Sequence, residues 1–297
     1  LELDMKLVTT VPTACHLGEG PLWNERDGKL WWTDILRNRL HRLDPASGAV
    51  ETIDTPERLC SYAFLPEGAN RILAAFETGL AYFDIETKSL AWIERVEALG
   101  SGRRFNDGRT DREGRFWVGT MVENEAMAGA QSGVLFRLDG FGLSAQAAGI
   151  SISNSLCTSP DGRILYFADS PKQLIFAFDL DPDSGAIANK RVFAEVTEGY
   201  PDGAVVDEEG CLWSARWGAG EVVRHAPDGR VVSRLKVPAS QPTCPAFGGP
   251  DRKTLFVTSA REGLDDAALA ADPEAGNLFL YQAEVAGLPV VPFTPAV

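Results

Sequence analysis

Apolar runs of five to seven residues recur along this chain in pairs, each pair separated by a turn. Aligned on the apolar residue that opens the second run, the pairs fall at Leu30, Ile72, Phe116, Leu165, Leu212 and Leu255, by subtraction 42, 44, 49, 47 and 43 residues apart. A turn signal precedes each anchor: Asp27-Gly28, Glu67-Gly68, Glu113-Gly114, Asp161-Gly162, Glu209-Gly210 and, in the last unit, Asp251-Arg252. Glycine at these steps supplies the positive φ that tight hairpins demand. Third runs alternate with the period of two expected of strands, as in Arg39–Leu43, Leu80–Asp84 and Leu174–Phe178. A fourth closes each unit, as in Val231–Leu235. Long amphipathic helices are nearly absent, and only the Ala-rich piece Asp265 to Ala271 predicts a short one. A period of this length made of four strands predicts an all-β fold, a six-bladed β-propeller with four-stranded antiparallel blades. No linker-like cluster of Gly or Pro interrupts the repeat, so residues 1–297 are expected to form a single domain. Two β-sandwiches would need six turns in register by coincidence.

Ten or eleven residues before the anchors, where the innermost strand of a blade begins, stand Glu19, Asn106, Asn154 and Asp202. The second and sixth units carry Ser61 and Cys244 at the matching place. Innermost strands of a propeller run the same way along the channel, so equivalent positions form a ring at one mouth. The two carboxylates, meeting there beside two amides, raise each other's proton affinity unless a cation compensates. Oxygen donors suit Ca²⁺, Mg²⁺ or Mn²⁺ and tolerate Zn²⁺ or Fe²⁺. The plainer alternative is that these side chains cap strand ends or hold channel water. Arg103-Arg104 adds two cations beside the ring. Arg104 suits paired hydrogen bonds to substrate oxygens, or else sits on the surface or pairs with Asp107.

Charge narrows the partners. The formal net charge is −14, which leaves no basic stripe for nucleic acid. No apolar run reaches the roughly 20 residues of a membrane helix, and Leu1 to Lys6 lacks a secretion-signal core. The expectation is a cytoplasmic protein with no membrane partner, a monomer or weak homo-oligomer. Five widely spaced cysteines without a CxxC read as reduced thiols, neither a disulfide framework nor a thiolate zinc site. The three histidines occupy unrelated repeat positions, which argues against a three-histidine metal centre.

Leu17-Gly18-Glu19-Gly20-Pro21, Arg104-Phe105-Asn106-Asp107-Gly108, Gly119-Thr120-Met121, Ile152-Ser153-Asn154-Ser155, Ser159-Pro160-Asp161-Gly162 and Tyr200-Pro201-Asp202-Gly203 follow one another in order. In this combination, from about residue 15 to 260, the chain resembles the senescence marker protein/gluconolactonase/regucalcin family. The resemblance implies a six-bladed propeller with one divalent metal in its channel, Glu19, Asn154 and Asp202 at the ligand positions, and Arg104 and Asn106 at substrate-contact positions. Many members carry an acidic substrate-binding residue shortly after the Gly-Thr-Met motif. Here Asn124 aligns with it and Glu123 falls one step early. The loop from Glu125 to Ser132 reads as a lid or as a passive turn.

The expected chemistry is therefore hydrolysis of a sugar lactone to the aldonic acid, with one divalent metal as Lewis acid and Asp202 activating water. Arg104, Asn106 and Asn124 would hold sugar hydroxyls. Ser-Pro-Asp-Gly at 159–162 is a blade turn, not a nucleophile elbow. Rival readings are a phosphotriesterase or fluorophosphatase on the same metal, which wants a more apolar pocket, a non-catalytic Ca²⁺-binding regulatory propeller, which has no use for substrate donors, and a protein-interaction scaffold.

Overall fold

The computed structural model describes residues 5–68, 70–98 and 100–295. It contains six four-stranded antiparallel sheets. The first blade is Gly18–Asn24, Lys29–Asp34, Arg39–Leu43 and Val50–Asp54. Each anchor read from the sequence lies in the first two residues of a blade's second strand. The innermost strands, which begin at Gly18, Leu59, Arg103, Ser153, Tyr200 and Pro242, neighbour one another in a closed ring.

Ring closure comes from a strand the repeat does not announce. Pro242–Gly248, Thr254–Ser259 and Leu278–Gln282 make three strands of the sixth blade, and the fourth is Leu7–Val11 from the other end of the chain. Pairing the two ends leaves no broken blade whose edge could recruit another chain. The short helix Asp266–Ala271 forms where expected, its cap Asp265 accepting the Ala268 N–H.

Six apolar clusters lie one in each interface between neighbouring blades. Between the first and second blades, Trp31 and Leu40 pack on Tyr62, Ile72 and Phe76. Strands buried on both faces need near-continuous apolar runs, which is why the sequence shows them. Within several blades an aspartate ties the first turn to the core. Asp207 accepts N–H groups from Glu209 and Cys211, the Trp213 indole at 2.8 Å and the Arg224 guanidinium. Asp111 serves Arg115 and Trp117 in the same way.

Beyond the sixth blade the chain turns under the propeller. Thr110 donates to the Val291 carbonyl, Phe293 N–H to Phe64 and Thr294 N–H to Gly114. This tail therefore crosses the mouth at the far ends of the innermost strands, and the channel opens toward their starts.

Candidate active site at one mouth of the channel

All six innermost strands change register just after they begin: between Glu19 and Leu22, Leu59 and Ser61, Phe105 and Gly108, Asn154 and Cys157, Pro201 and Ala204, and Pro242 and Pro245. A bulge re-aims one side chain off the pleat. Gly20 follows Glu19 at φ 56°, and Ser155 follows Asn154 at φ 57°, a left-handed conformation that costs a non-glycine residue energy. At Gly203 the demand is closeness: a Cβ there would lie 2.4 Å from the Cys244 sulfur.

The bulges bring Glu19, Asn106, Asn154 and Asp202 to the floor of one cavity of about 410 Å³, with Arg104 on its side. Ile152, Ser170, Tyr200, Trp217 and Glu262 also line it. The floor is fixed by a chain of hydrogen bonds whose direction is set at one end. Arginine only donates, so Arg104 Nη1 at 2.7 Å from Asn106 Oδ1 fixes that amide's orientation. Asn106 Nδ2 then donates to Asn154 Oδ1 at 3.1 Å, and Asn154 Nδ2 to Ser170 Oγ at 2.9 Å. The Ser170 hydroxyl donates to the Pro201 carbonyl at 2.7 Å. Asn154 thus keeps its oxygen toward Asn106 and the ring.

Electrostatics set the site apart from the rest of the channel. Burial, and then the charge of Asp107, raises the Glu19 carboxyl to about 8. Burial and the charges of Glu19 and Asp107 push Asp202 well above the carboxylate range. Asp107 is itself raised by burial while its Oδ2 accepts the Leu156 N–H at 2.8 Å. Deeper in the channel Arg109 donates to the Pro21 carbonyl and to Cys244 Sγ, the sulfur at the ring position of the sixth blade. Two buried carboxylates and a fixed amide oxygen form the donor set of a hard divalent cation. Ionised Glu19, Asp107 and Asp202 outnumber Arg109, an excess of negative charge that a divalent ion would offset. Glu19, Asn154 and Asp202 are the residues that could hold it.

Sequence reading and structure diverge at the wall. Asn124 does not line the cavity: it is exposed and accepts the Met127 N–H, capping the short helix Glu125–Ala128. Arg104 is buried, so it is no surface residue, and its carboxylate partner is Glu123 at 2.9 Å instead of Asp107. Glu123 in turn takes two bonds from Arg58. Arg103 faces away, clasped by Glu97. Ser170, Trp217 and Glu262, which the sequence reading missed, come from the ends of second strands or the connections after them. Carrying the repeat register to the end of each second strand would have pointed to them.

Away from the cavity, Cys15, Asp34 and His41 form a second cluster, a candidate three-ligand metal site. The sequence reading expected reduced thiols and no thiolate zinc site, and did not connect Cys15, just before the first strand of blade one, with Asp34 and His41 of the next two strands. All five cysteines are free and buried. None of the described helices is long and apolar enough to cross a membrane.

Comparison with known proteins gives a consistent result. Residues 17–261 match the family model described as the SMP-30/Gluconolactonase/LRE-like region. The chain is 37% identical over 286 residues to a 6-deoxy-6-sulfogluconolactonase of Pseudomonas putida, covering 95% of this chain and 96% of that protein. It is 40% identical to an L-arabinolactonase of Azospirillum brasilense, covering 95% and 93%. Among solved structures, the calcium-binding protein regucalcin of Agrobacterium tumefaciens superposes with a TM-score of 0.90 at 37% identity, over 97% of this chain and 98% of that one.

Proposed function

The chain belongs to the SMP-30/gluconolactonase/regucalcin family of sugar lactonases, and from that premise we propose that it hydrolyses an aldonolactone to the aldonic acid at the Glu19–Asn154–Asp202 mouth. The observation that carries this reading is the convergence of two buried, mutually repelling carboxylates with an amide held in one orientation, at the floor of a cavity large enough for a sugar ring.

A divalent cation held by Glu19, Asn154 and Asp202, with Ca²⁺, Mg²⁺, Mn²⁺, Zn²⁺ and Fe²⁺ as candidates, would supply Lewis-acid polarisation of the lactone carbonyl. Asp202 takes the proton of the attacking water as its oxygen adds to the carbonyl carbon. The same carboxyl returns that proton to the ring oxygen as the C–O bond breaks. Without the cation, burial and then the charges of Glu19 and Asp107 hold the Asp202 proton; with it bound these effects would be offset, leaving the carboxylate free to take a proton from water. Arg104 approaches sugar oxygens through Nη2, because Nε and Nη1 hold Glu123 and Asn106. Asn106 acts through Asn154, keeping that oxygen turned to the ring. Tyr200 and Trp217 supply ring faces for the sugar's C–H side. Both enzyme relatives act, by name, on aldonolactones of different size, which supports the substrate class and leaves ring size to the cavity walls.

The test is acid release by metal-stripped protein from a panel of pentose and hexose lactones, with single metals added back. Metal-dependent turnover of one lactone, lost in Asp202→Asn, supports the mechanism. Full turnover in Asp202→Asn, or none with any metal in folded protein, overturns it.

A further inference from the structure

Blade one and blade four share a device at the end of the second strand. Asp34 accepts the N–H groups of His16 and Leu17, and Asp169 those of Ser151 and Ile152, at the same sequence offsets. In both blades an aromatic two residues earlier stacks on its cross-strand partner: Trp32 on His41 at 5.0 Å, and Phe167 on Phe176 at 6.4 Å. The next strand out presents Thr52 to His41 and Val192 to Phe176. Counting back equally from each aspartate reaches Cys15 and Ile150. Blade four therefore builds this corner from Ile150, Phe176 and Val192, and blade one puts Cys15, His41 and Thr52 in their places.

Holding the strand end does not need those polar groups, since blade four manages with apolar ones. Their arrangement is that of a metal site. The ligand atoms of Cys15, Asp34 and His41 lie within 4.8 Å of one another, and the three residues are at most 6% exposed. His41 Nδ1 meets Thr52 Oγ1 at 3.0 Å, while the buried Nε2 has no hydrogen-bond partner. With Nδ1–H donated to Thr52, the free lone pair lies on the buried Nε2. Such outer partners fix the tautomer of metal-binding histidines. The two backbone N–H groups orient Asp34 in the same sense. Arg37 stands 3.8 Å from Asp34, where Lys172 closes to 2.7 Å on Asp169.

We infer that Cys15, Asp34 and His41 bind one Zn²⁺ or a similar thiophilic divalent ion, at a site separate from the channel mouth. A thiolate, an imidazole and a carboxylate are zinc's donors, and the two negative charges make a neutral buried complex. Bond lengths of about 2.0–2.3 Å put donors roughly 3.5 Å apart, so atoms already within 4.8 Å of one another close by no more than about 1.3 Å on binding. Burial and the charge of Asp34 raise the Cys15 thiol to about 11, so binding at neutral pH displaces its proton. Burial holds His41 down at about 4, already in its ligand form.

Co²⁺ is the probe, titrated into full-length metal-stripped Asp202→Asn so that the channel mouth is disabled. The expected result is one Co²⁺ per chain with a thiolate-to-metal charge-transfer band, one proton released, and displacement by Zn²⁺. Cys15→Ile and His41→Phe install the blade-four residues and should abolish the band in folded protein. Cys15→Ser serves if either fails to fold. Thr52→Val should weaken binding about tenfold. Absence of a thiolate band, or a band that survives loss of the Cys15 sulfur, overturns the inference. Neither outcome depends on lactone hydrolysis.

Discussion

At Asp202 two requirements pull in opposite directions. The general base proposed there must be ionised at working pH, while burial beside Glu19 and Asp107 favours its proton. Removing the charge should separate the two: Asp202→Asn is expected to lower turnover by about 10²–10⁴-fold, while the melting temperature of metal-stripped protein stays level or rises. Glu19 gives the pH dependence. Its folded value of about 8 lies above the ordinary 4.5, so its stabilising contribution is full below about 4.5 and is lost as pH rises through 8. His41 and His225, depressed to about 4, change stability only below their unfolded value of 6.5, which leaves the span from 6.5 to 8 to the carboxylates. Metal-stripped protein should therefore melt progressively lower from pH 6.5 to 8. Glu19→Gln should flatten that slope, and a bound divalent ion should reverse the loss. A flat slope in the unmodified chain would refute the repelling ring. These residues were legible in the sequence because the repeat placed them in register. Glu123, the partner of Arg104, was not, because the pairing depends on where the strand after Gly-Thr-Met turns outward.

Among the strands, the bulge is what converts a repeat into a site. An unbroken innermost strand would send alternate side chains to opposite faces, and its first polar residue would have no reason to face the axis. Nothing in hydrophobic spacing announces a bulge, although Gly20 and Gly203 beside the acids hinted at unusual backbone. The turn aspartates are a different kind of element, local and readable. Asp207→Ala leaves the Trp213 indole and the Cys211 N–H without their buried acceptor, while Arg224 keeps Glu209, and should cost about 1–3 kcal/mol in denaturant unfolding. The turn glycines can be tested singly. Gly210 has φ 81°, and a methyl group added there would meet no atom closer than 3.5 Å, so Gly210→Ala should cost about 1–2 kcal/mol from backbone strain alone.

For the molecule as a whole, the ring is closed by five residues from the far end of the chain. Deleting Leu7–Val11 leaves Leu278–Gln282 as an edge strand with exposed N–H and C=O groups. The truncated protein should melt lower and scatter more light on heating. An unchanged melting temperature would mean that the sixth blade is held by its inner strands alone. The tail after the sixth blade covers one mouth, which leaves the channel open at the other, where the bulged residues stand.

The sequence alone determined the blade number, the strand polarity and the four polar positions of the ring, because each follows from local patterns repeated at one interval. Tertiary structure decided which strand closes the circle, which amide oxygen faces the ring, that Asn124 caps a helix outside the cavity, and that Cys15, Asp34 and His41 meet. The closing strand and the amide orientation depend on contacts between segments that the repeat does not pair, while the Asn124 cap and the Cys15, Asp34 and His41 cluster are local to one blade but leave no mark on hydrophobic spacing.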